Sequence, residues 1–154
     1  MALKKPDLIW YTNPDYNETR LNIDNKEGVT NLYSADAILS APVSRKTNYK
    51  PYVLGVAVYN ILQNDNSDRV DAVIKNNGQV MVSYLFNYKE MAGDLTLVFG
   101  LRKTLKEAEK ESTYIRIVSG TGVFATVTGF IAREPYVDAD GVTYQKFSAY
   151  FDNL

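Results

Sequence analysis

IVSGTGVFATVTGFIARE, residues 117–134, is the stretch that decides the fold of this chain. It contains Gly120-x-Gly122-x-x-Ala125, a spacing that fits the loose form of a dinucleotide-binding loop. Such a loop has to open a helix. The residues after Gly122 are instead rich in β-branched side chains, and Gly129 would interrupt a helix. The stretch therefore predicts two antiparallel strands joined by a tight glycine turn, with Gly129 at a sharp bend of the second strand.

A two-residue period dominates the remainder of the chain. From Val80 to Tyr88 the alternate positions are Val, Val, Tyr, Phe and Tyr, and in a strand such positions share one face. The intervening positions are Met81, Ser83, Leu85 and Asn87, and the sequence leaves open which face points inward. Other strands are predicted at Leu8–Thr12, Val29–Leu39, Tyr52–Leu62, Val70–Lys75, Leu95–Leu101, Thr113–Ser119, Phe124–Arg133 and Val142–Phe151.

Turn residues separate these strands. Turns are predicted at Asn64–Asp68, Asn76–Gly78, Gly93-Asp94 and Asp138–Gly141, because Gly, Asn and Asp tolerate the backbone angles that turns require. Arg102–Lys110 is rich in helix-forming residues and is predicted to be a short exposed helix or a long loop. Many short strands with regular turns are typical of a sandwich or a closed barrel. A length of 154 residues fits a single domain spanning 1–154.

The composition argues against several classes of function. The chain has no Cys and no His, which removes disulfides, thiolate chemistry, a Ser-His-Asp triad and His-ligated metals. The net charge is −1 with no basic run, so a nucleic-acid partner is not expected. No apolar run reaches the ~20 residues of a membrane span. The N-terminus lacks the apolar core of a signal peptide, so a cytoplasmic protein is expected.

The central hairpin also carries a family resemblance. TYIRIVSGTGVFATVTGFI, residues 113–131, resembles the hairpin of the allene oxide cyclase and dirigent barrels, in which a strand runs into Gly-[Thr/Ser]-Gly-x-Phe and a further glycine follows. The matching positions are Gly120, Thr121, Gly122, Phe124 and Gly129. NLYSADAIL, residues 31–39, resembles a strand of the allene oxide cyclases with one residue deleted. The bacterial spirotetronate cyclases, which close rings by formal Diels-Alder addition, share the fold and a similar hairpin.

The resemblance implies an all-β fold, a single eight-stranded antiparallel barrel with an elongated, largely apolar cavity. It also implies an enzyme without a cofactor, a cyclase or isomerase that binds a hydrophobic polyunsaturated intermediate and templates its ring closure by positioning. Two alternatives stay open. The barrel binds a hydrophobic small molecule without catalysis, as a carrier or a dirigent-like protein, or it is a filled barrel with a structural role. Members of this group pair or form trimers, so a homodimer or homotrimer is expected.

Candidate site residues follow from alternation and from the resemblance. Arg133 shares a face with Ile131, the face that points into the lumen of the cyclases that this chain resembles. The alternative is an Arg at the barrel rim, in an ion pair with Glu134 or a neighbouring residue. Tyr84, Tyr88 and Tyr114 are candidate hydrogen-bond donors or, alternatively, packing residues. Thr12 stands where the allene oxide cyclases carry a catalytic Glu, and Arg116 is expected to point outward. The candidate substrate-binding residues are Trp10, Asn31, Leu85, Asn87, Leu97, Phe99, Ile115 and Ile131.

Overall fold

The computed structural model describes residues 4–12, 17–20, 29–42, 51–64, 78–101 and 112–152. The described residues form nine strands: β1 (Leu8–Thr12), β2 (Asn17–Arg20), β3 (Val29–Leu39), β4 (Val53–Asn64), β5 (Gly78–Tyr88), β6 (Met91–Leu101), β7 (Thr113–Gly120), β8 (Gly129–Val137) and β9 (Thr143–Phe151). A single turn of 3₁₀ helix, Gly122–Phe124, lies between β7 and β8. In this part of the chain no helix is long and apolar enough to cross a membrane.

Eight of the described strands form a closed antiparallel barrel, as predicted. Strands that neighbour each other in the barrel follow the order β1-β9-β8-β7-β6-β5-β4-β3, and β1 pairs again with β3 to close the ring. In the closing strand, Leu8 lies opposite Ala149 of β9 and Thr12 lies opposite Ile38 of β3. The short strand β2, which the sequence patterns did not predict, pairs with β3 from Asn17 opposite Ala35 onward. Strands β1 and β2 therefore share one edge of β3.

The hairpin around Gly120 is a strand, a turn and an antiparallel strand, as predicted. The turn is longer than the sequence indicated. The Phe124 N–H donates to the Thr121 carbonyl at 3.0 Å, and the Val127 N–H donates to the Phe124 carbonyl at 3.1 Å. This winding turns the Phe124 side chain into the core, where it is 5% exposed. The second strand consequently begins at Gly129 and not at Phe124.

Gly129 lies where β8 leaves the turn against β9. Its φ is +140°, in the region that side chains other than glycine rarely adopt. A Cβ at this position would lie 2.0 Å from the carbonyl oxygen of Tyr150. Both observations support the predicted need for glycine at the bend.

Some element predictions are corrected by the structure. The turn expected at Gly93-Asp94 is wrong: β5 and β6 are joined at Lys89-Glu90, and Gly93 and Asp94 lie within β6. Glycine is needed at 93 because β6 passes close to the 3₁₀ turn; the Thr121 N–H donates to the Asp94 carbonyl at 2.9 Å. The predicted strand Val70–Lys75 and the helix or loop Arg102–Lys110 lie outside the described residues.

The inner face of β5 is the bulky one. Val80, Val82, Tyr84 and Phe86 are buried, while Leu85 is half-buried and Asn87 exposed on the outer face. The expectation that Leu85 and Asn87 line the lumen is therefore wrong. The physical reason is packing, because the aromatic rings of this face complete the cluster around Trp10 that is described next.

An aromatic cluster fills the end of the barrel that holds the β5–β6 and β7–β8 turns. Trp10 is fully buried, with ring centroids 5.0 Å from Tyr84, 5.2 Å from Phe86 and 5.6 Å from Phe147. Phe86 in turn contacts Phe124 at 5.3 Å. Ring pairs at these separations add to the free energy that burial alone supplies. The interior at this end is a packed core.

Candidate functional site

A polar cluster lies inside the barrel and begins where the aromatic cluster stops at Tyr84. From there it extends toward the end of the barrel that holds the β8–β9 turn. Its members come from seven of the eight barrel strands: Thr12, Asp36, Tyr59, Tyr84, Thr113, Arg133 and Gln145. Thr12, Asp36 and Gln145 are at most 9% exposed. Buried polar side chains cost free energy unless they are satisfied, so this grouping inside an otherwise apolar barrel marks the candidate site.

Arg133 of β8 is oriented by side chains from its two neighbouring strands. Its guanidinium donates to Oε1 of Gln145 on β9 at 3.0 Å and to Oγ1 of Thr113 on β7 at 3.1 Å. Glu134, one partner named in the rim alternative, lies 3.8 Å from Nζ of Lys146. Alternation places Arg133 on the same face as Ile131, which is fully buried, and the resemblance had implied that this face points inward.

Tyr59 and Tyr84 share a hydrogen bond within the cluster, and Tyr59 bonds Thr12 as well. The net pKa shift is upward for both phenols, and burial is its largest cause. Tyr59 as a residue is only half-buried, but its hydroxyl lies deep enough for desolvation to dominate.

Asp36 and Arg133 have opposite effects on the pKa of these two phenols. The Asp36 carboxylate raises the pKa of both tyrosines, and the Arg133 guanidinium lowers it. The register explains how Asp36 approaches Tyr84: Asp36 lies opposite Ala57, and Ala57 lies opposite Tyr84. The small alanine between them leaves room above the sheet for the two larger side chains.

The arrangement favours polarisation over covalent chemistry. With raised pKa values, both phenols stay protonated at neutral pH and act as hydrogen-bond donors. A guanidinium in a water-poor interior stabilises negative charge that develops on a carbonyl oxygen. Among the described side chains no group of three or more His, Cys, Asp or Glu could hold a metal ion.

The structure separates the four predicted catalytic residues. Arg133 and Tyr84 belong to the polar cluster. Tyr88 is half-buried near the β5–β6 turn, with its ring 5.4 Å from that of Tyr52. Tyr114 is 76% exposed on the outer wall and contacts Phe130 at 6.0 Å. Neither Tyr88 nor Tyr114 is brought to the cluster, because each lies on a different part of the barrel.

The predicted substrate-binding residues are also divided. Trp10, Leu97, Ile115 and Ile131 are buried in the core, and Phe99 is partly buried against it. Leu85 and Asn87 lie outside, as described above. Asn31 lies in β3 opposite Leu62, but its side chain is outside the described part of the structure. Contact of any of these residues with a substrate stays a prediction.

Sequence reasoning missed Asp36, Tyr59 and Gln145. Asp36 offered a signal, since it is the one charged residue between Val29 and Leu39 and shares a face with the apolar Ile38. An acid on the apolar face of a strand indicates a buried charge with a partner. Tyr59 and Gln145 offered none, because each is an ordinary strand residue whose position depends on strand register.

A cleft of about 600 Å³ lies on the outer wall of the barrel, over β7, β8 and β9. Its lining includes Tyr114, Phe130, Ala132, Ser148 and Tyr150, which point away from the barrel interior. It meets the polar cluster at Arg133 and Thr113. The cleft and the interior cluster are thus neighbouring but distinct features.

Comparison with known proteins supports the fold. The chain is similar in structure to a pterocarpan synthase dirigent protein, with a TM-score of 0.60 and 14% sequence identity over 94% of this chain and 84% of that one. It is also similar to a pyocyanin demethylase, with a TM-score of 0.53 and 10% identity over 93% of this chain and 98% of that one. No protein-family model matches the sequence, and no curated protein is detectably similar in sequence. At these identities the likeness is one of fold.

Proposed function

We propose that the barrel binds a hydrophobic, polyunsaturated molecule that carries a carbonyl oxygen, and promotes its ring closure or isomerisation without a cofactor. The observation that carries the proposal is the polar cluster, in which a guanidinium, two protonated phenols and a carboxylate meet inside an apolar barrel. Ligand sites of this kind combine apolar walls with a few convergent polar groups.

The polar groups divide the work between them. Arg133, oriented by Gln145 and Thr113, draws electron density onto the carbonyl oxygen of the bound molecule. Tyr84 and Tyr59 remain phenols and supply hydrogen bonds to the same region. The apolar walls hold the chain of the substrate in one folded conformation, which lowers the entropic part of the barrier. Asp36 offsets the charge of Arg133 and raises the pKa of both phenols.

The names of the structural neighbours give independent support. One is named as a pterocarpan synthase dirigent protein and the other as a pyocyanin demethylase. Both names refer to reactions of small organic molecules, and this fold therefore accommodates such ligands in at least two proteins.

A test of the function uses a linear polyene that carries a terminal dienophile and a 1,3-dicarbonyl group. Cyclisation is followed by chiral chromatography with and without protein. We expect a faster reaction and one favoured stereoisomer in the presence of protein. Arg133→Met should lower turnover roughly a hundredfold, since it removes a charged oxyanion donor, and Tyr84→Phe roughly tenfold, or about 1.4 kcal/mol of barrier.

Tyr88→Phe is the matched control, because Tyr88 lies outside the polar cluster. It should leave turnover unchanged, and circular dichroism should show that all three variants keep the strand content. Equal rates and equal isomer ratios with and without protein would end the cyclase proposal. If the polyene then still binds, as judged by quenching of the fluorescence of Trp10, the protein is a carrier or a dirigent-like binder of such molecules.

A further inference from the structure

The outer cleft has a floor of small side chains. Ala132 of β8 lies opposite Ser148 of β9 and opposite Tyr114 of β7, so the three side chains form one row across the outer wall. The side chains of Ala132 and Ser148 are short, so this part of the row forms the floor of the cleft. The floor offers one polar side chain, Ser148, which is 6% exposed and lines the cleft.

The walls of the cleft are aromatic. The rings of Phe130 and Tyr150 are stacked, with centroids 5.0 Å apart and planes inclined by 19°. Tyr114 meets Phe130 edge-on at 6.0 Å and is 76% exposed. Flat rings that stand beside a shallow floor offer both stacking and edge contacts to another flat ring.

Three charges at the rim are paired with opposite charges of the chain, and the Arg133 guanidinium donates to Gln145 and Thr113. The Arg116 guanidinium lies 3.9 Å from the Asp152 carboxylate, Lys146 lies 3.8 Å from Glu134, and Lys4 lies 3.0 Å from Asp7. A charged ligand would compete with these pairs. An uncharged ligand would leave them intact, so the rim favours an uncharged molecule.

The shape of the cleft favours a small molecule over a flat protein surface. Its volume of about 600 Å³ lies in the range of ligand pockets, roughly 300–1,000 Å³. We propose that the outer cleft is a second binding site, for an uncharged planar aromatic molecule that carries one hydroxyl or carbonyl group. Its rings lie over Ala132 and against Phe130 and Tyr114, and its oxygen meets the Ser148 hydroxyl. The site does not depend on the proposed function of the barrel interior.

Titration with 2-naphthol, followed by ¹H–¹⁵N NMR of the whole chain, tests the site. Saturable shifts are expected for the amides of residues 130–132 and 148–150. Decahydro-2-naphthol, which keeps the hydroxyl and the two-ring frame but has no flat face, should bind about tenfold more weakly, because it cannot stack on the aromatic walls. Equal affinity of the two compounds would overturn the proposal of an aromatic site.

Ala132→Leu is the blocking variant, because the added side chain points outward and fills the floor of the cleft. It should abolish the 2-naphthol shifts while the unfolding midpoint stays unchanged. Val118→Leu, at an exposed position of β7 beyond the cleft lining, is the control and should bind normally. Shifts confined to the amides of Trp10 and Tyr84 would place the ligand inside the barrel and overturn the proposal. So would a dimer that Ala132→Leu dissociates in sedimentation, since the cleft would then be an interface.

Discussion

At the scale of single residues, Gly129 is a position where the backbone conformation and a close neighbour both require glycine. Gly129→Val would combine an unfavourable φ of +140° with a Cβ placed 2.0 Å from the Tyr150 carbonyl oxygen. We expect a loss of at least about 1–3 kcal/mol in the free energy of unfolding, measured by urea titration.

The matched control for this substitution is Gly141→Ala. Gly141 has a φ of +81°, but a Cβ there would meet nothing within 4 Å. A smaller loss is therefore expected for Gly141→Ala. Equal losses in the two variants would show that the approach of Tyr150 contributes nothing.

The inward position of Arg133 was expected from its alternation with Ile131 together with the resemblance to the cyclases, in which this face lines the lumen. Its partners were not predictable, because Gln145 and Thr113 are 12 and 20 residues away in sequence and reach it only through the pairing of β7, β8 and β9. The same holds for Tyr59, which meets Tyr84 across β4 and β5. The contacts in a site assembled from neighbouring strands depend on how those strands align. A single sequence specifies this register only weakly.

At the scale of elements, the strands were predicted more reliably than the side of the barrel that each face occupies. The bounds of β1 and β3 were predicted correctly, because turn-forming residues follow both segments, Asn13-Pro14 after β1 and Ser40 after β3. The inward face of β5 was left open because Leu85 and Met81 make its outer face apolar as well. Hydrophobic alternation identifies a strand, but it chooses a side only where the opposite face is polar.

The segment before β1 is tied to the end of β9. The Phe151 N–H donates to the Asp7 carboxylate at 2.7 Å, and Lys4 lies 3.0 Å from the same oxygen. The backbone hydrogen bond and Lys4 hold the pKa of Asp7 below its ordinary value of 3.8. Its stabilising contribution is therefore complete above that value and is lost as the pH falls through the lowered pKa.

Asp7→Asn tests this tie. The variant should be less stable than the wild type at pH 7, and the difference in unfolding free energy should shrink as the pH is lowered below 3.8. Glu90→Gln, in the exposed turn between β5 and β6, controls for the loss of one surface charge. A difference that stays constant across this pH range would show that the carboxylate charge is not responsible.

At the scale of the whole molecule, the outer wall leaves an apolar patch beside the start of β4. Tyr52, Val53 and Val56 are between 44% and 60% exposed. We expect this patch to be covered by a second copy of the chain, giving a homodimer or homotrimer in sedimentation at micromolar concentration.

Val56→Lys should shift the sedimenting species to the monomer, since a charge in a buried apolar contact is costly. Val118→Lys, at an exposed valine on another part of the wall, should leave the sedimenting species unchanged. A wild-type protein that sediments as a monomer would contradict the expectation.

Because β1 pairs with β9, the barrel can close only after the last strand has been synthesised. Ile9 lies opposite Ser148, so the ring is open until nearly the entire described chain has left the ribosome. At roughly 5–20 residues per second the wait is on the order of ten seconds. During that time Trp10 has no Phe147 to stack against. Because it is the only tryptophan of the chain, its fluorescence dates the moment at which the barrel closes.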